Sequence, residues 1–272
     1  NLYGLPLTNE LWYEIDDCQD YDIVKAMFAP STHERLELFH KRFGGYWRFG
    51  NIKDYCYLVN PYFPTEAMIN KMKYFYDKLL FNYPSGQSIE RICACRMFDN
   101  VSDDNILIGN GAAELINNLK YIVGKKIALT IPSFNEYVRC FPNSEITYIN
   151  SKDDNYRLSL NKLKETLNKV DTLIVISPDN PSGSHLKYGE VIELLDMAKE
   201  MDKQVIFDES FIDFANDSYT LINDDILNKY PNLIVIKSIS KSYGVPGLRL
   251  GVLASGNYEY LDIINRNMPV WN

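Results

Sequence analysis

Several short segments carry side chains able to act together on a small anionic ligand. In Ser238-Ile239-Ser240-Lys241-Ser242 an amine stands among hydroxyls. A desolvated lysine in such a setting can act as a nucleophile. Arg249, eight residues beyond Lys241, offers a fork for a phosphate. Phe207-Asp208-Glu209-Ser210-Phe211 ends an apolar run in a carboxylate. A buried carboxylate is costly unless paired, so Asp208 calls for a cationic partner: an Arg, a metal or a protonated ring nitrogen. Ser177-Pro178-Asp179-Asn180-Pro181-Ser182-Gly183 is a rigid turn that can aim the Asn180 amide. Pro132-Ser133-Phe134-Asn135-Glu136-Tyr137 supplies an aromatic plate, read as Tyr137. Gly109-Asn110-Gly111-Ala112-Ala113-Glu114 puts small residues at a helix start, where free N–H groups attract an anion. Singly, each has a plainer reading: a tight turn, a packed Tyr, a solvated Lys. Together they match the needs of a phosphorylated aromatic aldehyde with a basic ring nitrogen.

These segments share one placement: each follows an apolar run. Strand-like runs lie at Asn105–Ile108, Ile127–Ile131, Ile146–Ile149, Leu173–Ile176, Val205–Phe207, Leu233–Ile236 and Leu248–Leu253. Helical patterns separate several of them, over 112–123 and most clearly over 190–201, with Val191, Leu194, Leu195 and Ala198 on one face. Continuous apolar strands alternating with helices predict an α/β fold: a mostly parallel, seven-stranded-type sheet covered by helices on both faces. In such sheets ligands bind at the carboxyl ends of the strands. Upstream, Met68, Met72, Phe75 and Leu79 predict a helix from Thr65 to about Leu80, and Asn82-Tyr83-Pro84-Ser85-Gly86 reads as a turn.

At 272 residues the chain has room for one large domain or two small ones. No apolar run approaches the roughly 18–20 residues that cross a bilayer, so no membrane partner is expected. With 28 Lys+Arg against 36 Asp+Glu the net charge is −8, which speaks against a nucleic-acid backbone binder. Five cysteines (Cys18, Cys56, Cys93, Cys95, Cys140) form neither a disulfide framework nor a zinc pattern. Reduced thiols, a cytoplasmic location and no metal are the expectation. The chain begins Asn1-Leu2-Tyr3 without Met or a leader, which suggests a piece of a longer protein.

From about Asp54 to Asn272 the sequence resembles the class I/II aminotransferases of pyridoxal phosphate (PLP) fold type I. Within that group it is most similar to histidinol-phosphate aminotransferases and threonine-phosphate decarboxylases. Ser240-Lys241, Pro246-Gly247-Leu248-Arg249 with Gly251, Asn180-Pro181-Ser182-Gly183 and Asp208-Glu209-Ser210-Phe211 carry the resemblance. It implies that Lys241 forms the internal aldimine and shuttles protons, and that Asp208 keeps the pyridinium protonated. It also implies that Asn180 bonds the ring 3′-oxygen and that Tyr137 stacks on the ring. Gly111, Ala112, Ala113, Ser238, Ser240 and Arg249 would hold the phosphate. Tyr83 would reach the phosphate of a neighbouring subunit, making a homodimer. The implied substrates are a small amino donor and a 2-oxo acceptor. Two departures stand out: Phe211 replaces a Tyr that donates to the 3′-oxygen, and the sequence stops at Asn272, where the resemblance implies a small C-terminal domain.

Leu11-Trp12-Tyr13-Glu14-Ile15-Asp16-Asp17 and Asp20-Tyr21-Asp22 resemble the end of a sugar-phosphate or choline-phosphate nucleotidyltransferase, in which Asp16 would bind magnesium. Gly44-Gly45-Tyr46-Trp47-Arg48 and Asn60-Pro61-Tyr62-Phe63-Pro64 resemble the N-terminal arm of the threonine-phosphate decarboxylases, with Phe43 where that branch has His. There Arg48 and Asn60 would contact substrate. The expected organisation is a remnant over 1–30, an arm over 31–64 and a PLP-dependent large domain over 65–272. Three activities compete. Amino transfer leads; the runner-up is decarboxylation of a phosphorylated or phosphonylated amino acid. The third is a nucleotidyltransferase fragment joined to a non-catalytic domain.

Overall fold

A computed structural model describes residues 10–42, 44–49, 53, 55 and 58–271. Asp54, Phe43 and Cys56, named above, lie outside the described residues. The chain divides into two units, Asn1–Leu58 and Val59–Asn272.

The first unit holds α1 (Cys18–Met27) and α2 (Thr32–His40) over a small core of Ile23, Ala26 and Phe49. Its acidic run has a local structural use. Asp17 caps α1 by accepting from the N–H groups of Gln19 and Asp20 at 2.7 and 2.9 Å. Asp20 in turn accepts from Asp16 N–H, Asp17 N–H and the Tyr13 hydroxyl. Carboxylates at a helix start satisfy its free donors and oppose its dipole. Among the described residues no cluster of His, Cys, Asp or Glu could hold a metal.

The second unit is built on a seven-stranded sheet, β1 (Ile106–Asn110), β2 (Lys126–Ile131), β3 (Glu145–Asn150), β4 (Thr172–Ile176), β5 (Gln204–Asp208), β6 (Leu233–Ser238) and β7 (Leu250–Ala254). The order is β1-β7-β6-β5-β4-β2-β3. Its helices are α3 (Glu66–Phe81), α4 (Gln87–Cys95), α5 (Ala112–Asn118), α6 (Asn135–Cys140), α7 (Leu160–Leu167), α8 (Tyr188–Glu200), α9 (Asp224–Lys229), α10 (Ile239–Ser242) and α11 (Tyr258–Arg266). Every residue of β4, β5 and β6 is buried, as continuous apolar runs require when both sheet faces are covered. Alternate residues serve opposite faces. Leu173, Val175, Val205 and Phe207 share one core with Val191, Leu194 and Leu195 of α8. Ile174, Ile176, Ile206 and Ile234 share the other with Leu115 and Ile116 of α5. Burying each such side chain stabilises the fold by about 1.5–3 kcal/mol.

Register decides the site. Ile176 pairs with Asp208, and Asp208 with Ile236, in parallel ladders. Strands β4 and β5 therefore finish level and β6 runs two residues further, which brings Ser177, Asp208 and Ser238 to the same end of the sheet. Strand β7 runs antiparallel to both β6 and β1, which places Gly251 opposite Ser238 and Gly109. The helix predicted over 112–123 stops at Asn118 and continues as a 3₁₀ turn over Leu119–Tyr121. Asn117 and Asn118 are weak helix formers and account for the break. Helix α3 forms where the apolar spacing predicts it, yet none of its residues is buried. Leu79 on its apolar stripe is 70% exposed. No described helix is long and apolar enough to cross a membrane.

Candidate functional site

A cavity opens at the carboxyl ends of β4, β5 and β6. Ala112, Ala113, Phe134, Asn180, Asp208, Ser210, Phe211, Ser238, Lys241 and Arg249 are among the residues that line it. Seven of these residues were singled out from sequence and come from five separate segments.

Lys241 sits in α10, directly after β6. Burial first, then the charge of Arg249, bring its amine below the ordinary lysine value, while Asp208 acts the other way. A lowered pKa leaves more of the amine unprotonated and nucleophilic. Its Nζ lies 5.8 Å from the centre of the Phe211 ring.

Asp208 is 4% exposed. Its carboxylate accepts from the Tyr137 hydroxyl at 2.7 Å and from the Ser210 N–H at 2.9 Å. Burial pushes it above the ordinary carboxylate range, against both hydrogen bonds, which hold it down. It makes no ion pair among the described residues. A buried carboxylate held by two donors and facing a cavity suits a ligand that brings its own positive charge.

The anion cradle is assembled across β1 and β7. Gly111 has φ 79° and ψ 162°, a region open almost only to glycine. A Cβ there would stand 2.5 Å from Arg249 Nη2, so the guanidinium lies against this turn. Arg249 itself is left-handed, at φ 55° and ψ 64°. For a residue with a Cβ this costs about 1–2 kcal/mol, and the turn aims the side chain back at the start of α5. There the N–H groups of Ala112 and Ala113 have no acceptor among the described residues, as befits the first turn of a helix. Ser238 adds a hydroxyl on the cavity wall.

Asn180 is aimed by a braced loop. Asp179 accepts from the Ser182 hydroxyl at 2.5 Å, and its N–H donates to the Ser184 carbonyl at 2.7 Å. Burial raises the Asp179 carboxyl, and the Ser182 bonds oppose the rise.

Tyr137, Ser240 and Asn60 lie elsewhere than the sequence places them. Tyr137 is fully buried and stands behind Asp208, with burial and then that carboxylate pushing its phenol well above the usual value. The aromatics on the cavity wall are Phe134 and Phe211. Phe134 comes straight off the turn after β2, whereas Tyr137 lies within α6 and is rotated inward; the position next to Pro132-Ser133 was the available signal. Ser240 is also buried, and its hydroxyl is taken up bridging to the backbone of Leu250. Asn60 spends its amide on Ser242 and Tyr62. Tyr83, expected to serve a neighbouring subunit, is outside the cavity of its own chain, 82% exposed and stacked on Trp271 with ring centres 4.6 Å apart. Ser210 was missed from sequence; it braces Asp208 and accepts from Ser238 N–H at 2.9 Å.

An amine of lowered pKa, a buried carboxylate lacking a cation, an amide and an anion cradle fit PLP residue by residue. Fold and site define a PLP-dependent enzyme of the α/β type. The chain belongs to the class I and II aminotransferase family, whose model matches residues 54–271, and its cofactor is PLP. It is similar to a CMP-5'-(3-aminopropyl)phosphonate synthase of Streptomyces rubellomurinus, 30% identical over 96% of this chain and 41% of that protein. It is also similar to the L-serine phosphate decarboxylase Cj1436c of Campylobacter jejuni, 36% identical over 82% of this chain and 60% of that one. The chain thus spans about half the length of these curated relatives. Its fold is shared by the histidinol-phosphate aminotransferase of Clostridium acetobutylicum, with TM-score 0.69 and 24% identity over 81% of this chain and 66% of that one.

Proposed function

We propose that this chain carries the PLP site of a decarboxylase acting on an amino acid that bears a phosphate or phosphonate group. One observation carries the cofactor chemistry: Asp208, buried and without an ion pair among the described residues, faces the same cavity as Lys241. When bound, the cofactor supplies an electron sink for a bond at the substrate α-carbon. The chain's own residues do the rest. Asp208 holds a proton on the ring nitrogen. Asn180 donates to the ring oxygen. Phe134 and Phe211 exclude water from the ring. Arg249, Ser238 and the start of α5 anchor the phosphate. Lys241 would hold the cofactor through its amine and would hold or return a proton at the substrate α-carbon.

The choice of decarboxylation draws support from relatives named for a phosphorylated amino acid and for an aminophosphonate. Amino transfer is the second reading, supported by the family as a whole. Which activity runs depends on which bond at the α-carbon stands perpendicular to the ring. The alignment with the CMP-5'-(3-aminopropyl)phosphonate synthase covers 96% of this chain and so reaches into residues 1–30, which supports reading them as the end of a nucleotidyltransferase. Exposed Tyr83, outside the cavity of its own chain, supports a homodimer in which it completes the partner's site.

The test is to supply PLP and O-phospho-L-serine labelled with ¹³C in the carboxylate. Labelled carbon dioxide from the native chain, absent with Lys241→Ala, is the expected result. A 2-oxo acid in its place would move the assignment to amino transfer.

A further inference from the structure

Lys241 is carried by a helix of a single turn. So short a helix does not sustain itself, and its direction is set by what ties its ends. The carboxyl end of α10 is tied by one residue from a distant part of the chain. Asn60 N–H donates to the Lys241 carbonyl at 2.9 Å. Asn60 Nδ2 donates to the Ser242 carbonyl at 2.9 Å, across 182 positions of sequence. Asn60 Oδ1 accepts from Tyr62 N–H at 2.9 Å, which folds the Asn60-Pro61-Tyr62 turn into a strap. The strap lies hard against the helix exit. Gly244 has φ +60°, and a Cβ there would stand 2.0 Å from the Phe63 carbonyl oxygen and 2.6 Å from that of Asn60. Phe63 sets its ring edge-on to Tyr243 at 5.9 Å.

A second tie reaches α10 from another side. The Ser242 hydroxyl donates to Asp213, which also accepts from Lys237 Nζ at 3.0 Å. Lys237 lies 3.5 Å from the fully buried Glu209, next to Asp208 in sequence. Between them these bonds fix Ser242, leaving the amine of Lys241 to point into the cavity.

We propose that Asn60 is a positioning residue for Lys241: by holding the last two carbonyls of α10 it aims the Lys241 amine at the cofactor. It does not line the cavity, and both ends of its amide are engaged. This rests on the reading of Lys241 as the carrier of PLP. Asn60→Asp is isosteric and keeps the acceptor for Tyr62, but it turns the donor to Ser242 into a charged oxygen facing that carbonyl, so it breaks this tie and repels it.

Two quantities separate aim from mere stability. One is the rate at which PLP becomes fixed to Lys241, read by borohydride trapping and peptide mass. The other is the non-covalent affinity for PLP, read by dialysis in a Lys241→Ala background with and without Asn60→Asp. Trapping about tenfold slower at unchanged affinity is the expected result, because one lost hydrogen bond misplaces the amine and leaves the phosphate cradle intact. Trapping at the native rate would overturn the proposal. So would a parallel loss of affinity, which a purely structural role predicts. Asn60→Ser serves the same comparison should the Asp variant fail to fold. If the native chain itself traps nothing at Lys241, the cofactor reading falls and this proposal with it.

Discussion

Asp208 shows how a site can be costly to the empty fold. Its carboxyl is raised above the ordinary value by burial, so folding favours the protonated form. The sign follows: above the folded pKa the ionised group weighs against stability, and the cost disappears at lower pH. Asp208→Asn should therefore stabilise the cofactor-free chain at neutral pH by about 1 kcal/mol, a rise in melting temperature of roughly 2–4 °C. The same variant should bind PLP poorly, and calorimetry with and without PLP would read both effects. Tyr137→Phe makes the converse case. It removes a hydrogen bond to a buried carboxylate, drives the Asp208 carboxyl higher still and should weaken PLP about tenfold by dialysis. Lys241 adds a pH signature. Its amine is held below the ordinary lysine value of 10.5 by burial and Arg249. Capture of PLP should rise with pH and level off before that value, which trapping across a pH series would record.

At the scale of elements, the strand ends were legible because both-face burial writes itself as unbroken apolar runs. The turn residues after them then line up by register. What was not legible is orientation within a turn. Phe134 and Tyr137 are three residues apart, and only the start of α6 decides which meets the cavity and which backs Asp208. The direction of β7 was equally hidden, since an apolar run reads alike in both senses. Ser240 looked like a phosphate ligand because hydroxyls near a lysine suit one, yet its bonds to Leu250 tie α10 to β7. The Gly111 turn yields a prediction at this scale. A Cβ would meet Arg249 and force a backbone region closed to alanine. Gly111→Ala should cost about 1–3 kcal/mol in stability. It should also weaken inorganic phosphate as a competitor of PLP, measured by competition dialysis.

For the molecule as a whole, the apolar spacing of α3 predicts a packed helix, while in the single chain its stripe remains exposed. A sequence records that a face is apolar and not what covers it. The exposed Tyr83 poses the same question. If Tyr83 completes a partner's site, Tyr83→Ala and Lys241→Ala damage different halves of one site. Mixing the two inactive variants should then return about a quarter of native activity, since half of the dimers are hybrids with one intact site. Mixtures as inactive as their components would refute shared sites.

Above all these stands the bond between Lys241 and its cofactor. The near-ultraviolet and visible spectrum of the chain with PLP, beside that of Lys241→Ala, examines it without any choice of substrate. A visible band in the native chain that vanishes in the variant is the predicted result. Identical spectra from the two proteins would contradict it.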